Sequence, residues 1–127
     1  MLNRDEILSH SDLRKETVPV PEWGGDVVVI EMSGEARDAW EVSLTKRGPG
    51  YNIVNARAKL VAATVSDENG KLLFQDSEDV EKIGRLSSVA LDRICAVAQR
   101  INGLTRAELK EAEGNSAADP SGNSISN

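Results

Sequence analysis

Aromatic side chains are scarce: two Trp, one Tyr and one Phe make up 3% of the chain. A core must therefore be built from Leu, Ile, Val and Ala, which at helical spacing suit a helix-rich domain better than a many-stranded sandwich. Cys95 is the only cysteine, so no intramolecular disulfide forms and a reducing, cytosolic compartment is the default. His10 is the only histidine. One His and one Cys fall short of an ordinary zinc set, and the polar segment around His10 offers no nucleophile for a Ser-His-Asp or Cys-His arrangement. Positive charge is also in deficit: 15 Lys and Arg against 21 Asp and Glu give a net charge of -6. That disfavours a general binder of nucleic acid or anionic membrane, while leaving room for a local basic patch. No apolar run approaches a membrane span, and the first residues lack the apolar stretch of a signal peptide. The expectation is a soluble, intracellular protein whose 127 residues form one domain of ordinary size.

Apolar periodicity is concentrated in residues 56–103, so the remainder should pack onto that stretch or hang from it. Residues 1–15 are polar, with Ile7, Leu8 and Leu13 as their sizeable apolar anchors, and a short helical turn fits there. Thr17-Val18-Pro19-Val20-Pro21 reads as an edge strand, because each proline lacks an amide hydrogen and drives the preceding residue to extended geometry. Glu22-Trp23-Gly24-Gly25-Asp26 reads as a turn and Val27-Val28-Val29-Ile30-Glu31-Met32 as the clearest strand, together a β-hairpin over 16–32. A lone hairpin is marginal in water and must lean on a helix or on a second chain. Ser33 caps a helix with Ala36, Trp40 and Leu44 on one face, closed by Lys46 and Arg47 and stopped by Gly48-Pro49-Gly50. Asn52 is placed to cap the next helix, with Ile53, Ala56 and Leu60 on one face and Val54, Ala58, Val61 and Val65 on the adjoining one. A turn at 67–70, a short extended piece at 72–74, and a short helix capped by Asp76 or Ser77 and weakened at Gly84 follow. Leu91, Ile94, Ala98 and Ile101 mark a long helix from Ser87, ended by Asn102-Gly103. A last turn or two fits residues 105–113, and residues 114–127 have almost nothing to bury and read as disordered. The fold class expected is α+β, predominantly α-helical: a hairpin packed on a small helical bundle (33–113), with a disordered tail.

No catalytic constellation emerges, and no cofactor or metal site is expected. The glycines fit neither a P-loop nor a dinucleotide fingerprint. Asp76, Glu78 and Asp79 can be read as paired carboxylates of a small regulatory or metal-dependent protein. Three acids at a helix start are equally what capping and the helix dipole require. Charge placement is more informative. Residues 42–66 carry Lys46, Arg47, Arg57 and Lys59 and no acid, whereas residues 67–81 carry six acids against Lys71 alone. Such neighbouring segments can steer head-to-tail association of identical subunits or balance each other within one subunit. A nucleic-acid contact along 46–59 is the third alternative. Candidate interaction residues are Trp23, Val27, Val29, Trp40, Lys46, Arg47, Arg57 and Lys59.

The ordered series Thr17-Val18-Pro19-Val20-Pro21-Glu22-Trp23-Gly24-Gly25, Val27-Val28-Val29, Ser33-Gly34-Glu35-Ala36-Arg37-Asp38, Asn55-Ala56-Arg57-Ala58-Lys59-Leu60-Val61-Ala62, Asp67-Glu68-Asn69-Gly70, Leu73-Phe74, Asp79-Val80, Leu86-Ser87 and Ile101-Asn102-Gly103-Leu104 resembles the tail assembly chaperones of long-tailed, non-contractile bacteriophages, the HK97-type siphoviruses. The likeness spans roughly residues 1–115, and it lies in the order of the series rather than in any single motif. It implies a non-enzymatic late protein of the host cytoplasm, absent from the mature virion. Such a protein coats the tape measure protein, keeps it soluble, helps recruit tail tube subunits and forms homo-oligomers. It also implies, in many such phages, a frameshifted longer form whose extra domain contacts the tail tube protein. The segment after Gly114 fits the unextended form.

Overall fold

The computed structural model describes residues 1–45 and 54–104. In chain order these form α1 (Arg4–Leu8), β1 (Lys15–Val20), a single 3-10 turn (Pro21–Trp23), β2 (Gly25–Ile30), α2 (Gly34–Ser43), α3 (Ala56–Thr64), β3 (Val65–Ser66), α4 (Asp79–Gly84) and α5 (Ser88–Ile101). The architecture is α+β, as the sequence predicts. Lys46, Arg47, the Gly48-Pro49-Gly50 stop, Asn52, Ile53, the turn at 105–113 and the tail all lie outside the described residues.

The hairpin closes within one chain. β1 and β2 pair antiparallel with Glu16 opposite Val29 and Val18 opposite Val27, and Gly24 takes the left-handed conformation (φ 72) that turns the chain back. Opposed residues share a face, so Val18, Val20 and Val29 point the same way; all three are buried in the core with Ile94 and Ala98 of α5. Pro19 lies on the edge strand β1, where its missing donor costs no ladder bond. β2 is central rather than an outer strand, because the two-residue β3 pairs on its other side, Val29 with Val65 and Val28 with Ser66.

That third strand overturns the expectation that Val65 continues a helical face. The β-branched pair Thr64-Val65 weakens the helix end, the Thr64 hydroxyl donates back to Leu60 O at 2.7 Å, and Val65 is extended (φ -89, ψ 125). The chain then turns at 67–70 and returns through a bridge between Ser66 and Leu72. Asp67 Oδ1 holds this turn by accepting from Asn69 N and Lys71 N.

α5 is the spine. Ser87 caps it, and Ala90, Leu91, Ile94, Cys95, Ala98 and Ile101 make one buried stripe at three- and four-residue spacing. Asn102 at its end joins three elements: its Oδ1 accepts from Met32 N at 2.7 Å, its carbonyl accepts from Arg37 Nη1, and its Nδ2 donates to Ala98 O. α2 begins at the Ser33 cap as expected but ends at Ser43, ahead of Lys46 and Arg47. The Ser43 and Thr45 hydroxyls donate to Trp40 O and Val42 O there. α3 starts later than predicted, after Asn55, which adopts φ 58 and makes no side-chain cap; Val54 precedes the helix and is exposed. α4 also starts later, with Glu78 rather than Asp76 or Ser77 at its N-cap.

Candidate interaction surface

The eight residues singled out from sequence do not form one patch. Trp23 sits at the hairpin tip with 41% of its surface exposed. Beside it Glu22 accepts from Arg93 Nε on α5 at 2.9 Å. One turn earlier on the same helix face is Val89, exposed, with Leu86 exposed just before the helix. The Glu22–Arg93 pair thus ties the hairpin tip to α5, a link the sequence reading did not make because the two are 71 positions apart along the chain.

Val29 and Trp40 belong to the core instead, 0% and 7% exposed. For Val29 the reason is pleat alternation: it faces α5 with Val18, and the half-buried Val27 shares that face. Trp40 is held between α2 and α3, where its Nε1 has no hydrogen-bond partner among the described residues. Val29 is not available to a partner in this conformation, and Trp40 keeps only a small exposed part, lining a surface depression.

Arg57 and Lys59 lie on α3, and both reach groups of the same chain. Arg57 Nε stands 2.6 Å from Asp92 Oδ1 of α5. Both side chains are mostly exposed, so the pair contributes at most about 1 kcal/mol. Lys59 Nζ donates to Ser43 O at 2.9 Å, and partial burial lowers its pKa.

The acidic segment acts locally. Asp79 Oδ2 accepts from Asp76 N, Glu78 pairs with Lys82 one turn on, and Asp67 is held below the usual carboxylate range, chiefly by the Lys71 amide. Among the described residues no group of three or more His, Cys, Asp and Glu is arranged to hold a metal ion. Cys95 is buried and its thiol pushed up to about 12, first by burial and then by Asp92, which removes the thiolate needed for nucleophilic chemistry.

Among the surface depressions, two are formed by described residues. One, of about 240 Å³, is lined by Trp40, Ala36, Ala39, Ala63, Leu72 and Val80 among others, with Lys59 at its side. The other, of about 310 Å³ and more polar, lies where the start of α3 meets the end of α4, beside Asn55, Arg57, Gly84 and Ser88. Elsewhere the apolar surface is dispersed: Leu2, Ile7, Leu8, Val42 and Leu73 are all exposed. Ile7 and Leu8, expected to anchor the N-terminal segment, are 54% and 64% exposed.

A small α+β domain with exposed apolar side chains and a shallow groove has the form of a protein that works through its surface. The chain belongs to the phage tail assembly chaperone family, whose sequence profile matches residues 4–115. It is similar to the solved tail assembly chaperone of bacteriophage HK97, with 27% identity and a TM-score of 0.53, covering 75% of this chain and 89% of that one. No curated protein matches the sequence.

Proposed function

We propose that this chain keeps a tape measure protein soluble before the tail tube closes around it, and helps recruit tail tube subunits as the tube grows. It acts by binding, without catalysis, in the host cytoplasm and is left out of the finished virion. The observation that carries this reading is the family match over residues 4–115. The surface supports it physically: a long helical client needs many modest apolar contacts along its length, and exposed Trp23, Val89 and Leu86 supply such contacts without a pocket.

Co-expression with a tagged tape measure protein from the same phage tests this. The untagged chain is expected to elute with the client, and Trp23→Ala to reduce the amount retained by about tenfold, the scale of an aromatic contact residue. A client that elutes alone, with the chain folded and in excess, would refute the reading.

A further inference from the structure

Trp40 carries a buried donor that the fold leaves unused. The indole is 7% exposed, and its Nε1 has no hydrogen-bond partner among the described residues. A buried N–H left unpaired is destabilising, and such groups are few in folded proteins. The polar groups of Ser43, one turn on, are committed elsewhere: the hydroxyl donates to Trp40 O and the carbonyl accepts from Lys59 Nζ. The same indole lines the groove between α2, α3 and α4, with Ala36, Ala39, Ala63 and Val80 around it. Alanines on two of the three helices keep about 240 Å³ open, space for a large aliphatic side chain. An open apolar groove and an unsatisfied donor are two separate signs of a ligand that brings both apolar bulk and an acceptor.

The charges around the groove say what kind of segment carries them. Glu35 and Asp38 stand beside Ala39 on α2, and Asp76 and Glu81 flank Val80 in sequence; all four are exposed. None of them is in an ion pair among the described residues. The groove's own cation, Lys59, is already held by Ser43 O at 2.9 Å and selects no occupant. A rim of unpaired carboxylates attracts Lys and Arg and turns away acidic segments.

We propose that the α2–α3–α4 groove is a docking site for a basic amphipathic helix of the client. One large aliphatic side chain of that helix fills the space between the alanines. A neighbouring hydroxyl or amide side chain accepts from Trp40 Nε1, and Lys or Arg on the flanks meet the acidic rim. The inference rests on the client reading above and adds to it a site and the sequence character that the site recognises. The apolar contact sets the strength of docking, and the rim sets which client segments are chosen.

Overlapping fluorescent peptides that tile the tape measure protein from the same phage, titrated with the full chain and followed by anisotropy, test this. The peptides that bind are expected to carry an apolar helical stripe flanked by Lys or Arg, and to bind less tightly as salt rises. Ala39→Leu, at an exposed wall position, should weaken their binding by about thirtyfold by filling the groove. Glu35→Lys with Glu81→Lys should weaken it by about tenfold and flatten the salt dependence. Circular dichroism and melting temperature should stay near those of the parent in both variants. In proton–nitrogen spectra of the labelled chain, the Trp40 indole N–H, identified as the one that remains in Trp23→Phe, should move downfield at saturation. Binding peptides that are acidic or lack an apolar stripe, variants that bind as the parent does, or an unmoved Trp40 resonance would each overturn the site. So would a peptide set in which nothing binds while the intact client still elutes with the chain. Co-elution of the intact client is read separately, so loss of this site and loss of the functional reading give different results.

Discussion

Asn102 shows how much one polar side chain can organise. It closes α5 and receives the amide of Met32 just after β2, so the helix end and the strand exit are joined through a half-buried group. Asn102→Ala leaves the Met32 N–H without its acceptor and is expected to cost about 1–3 kcal/mol in a urea melt. Unchanged stability would show that water replaces the bond. Surface carboxylates act in another way. Arg100 Nη2 donates to Glu16 at 2.6 Å and holds that carboxyl below its usual value of 4.5. Glu22 is held low first by its own backbone amide and then by Arg93. Because both pKa values are lowered on folding, their stabilisation is fully present above pH 4.5 and is lost as pH falls through the lowered values. The melting temperature should therefore fall on acidification through that window, and less steeply in an Arg93→Gln, Arg100→Gln double variant. A parallel fall in both proteins would remove these pairs from the account. Cys95 should react with a thiol reagent at mildly alkaline pH only as fast as the chain unfolds, given a thiol pushed up to about 12.

At the scale of elements, legibility followed sequence distance. α5 and the start of α2 were readable because a helical stripe and a serine cap lie within a few residues of one another. The hairpin was readable for the same reason: Pro19 and Pro21 mark the edge strand and Gly24 the reversal. β3 was not, because Val65 becomes a strand residue only by pairing with Val29, a partner that apolar spacing cannot reveal. The burial of Val29 likewise depends on where α5 lies, and that of Trp40 on where α3 lies. The start of α3 shows a similar long-range constraint. Asn55 is left-handed, and a Cβ built on Gly84 would lie 2.5 Å from its Oδ1. Gly84→Ala alone should therefore destabilise by about 1 kcal/mol, measured by thermal melting. In an Asn55→Gly background that substitution should become neutral or favourable, since glycine both accepts φ 58 and clears the space. An equal penalty in both backgrounds would place the clash elsewhere.

The molecule as a whole devotes its strongest packing to a single layer: α5, with the sheet on one side and α3 against it. Ile94 at 0% exposure is at the centre of that layer, and Ile94→Ala is expected to cost about 2–5 kcal/mol. Val89→Ala on the exposed face should change stability by less than about 0.5 kcal/mol. Around that layer the exposed apolar side chains are dispersed, with Trp23 at the hairpin tip, Ile7 and Leu8 on α1 and Val89 on α5.

The most direct measurement is the soluble fraction of a tape measure protein from the same phage, expressed alone, with this chain, and with its Ile94→Ala variant as a folding-impaired control. The account predicts a client that is largely insoluble alone, becomes soluble in proportion to the amount of chain supplied, and gains less from the variant. A client whose soluble fraction is the same with and without the folded chain would contradict it.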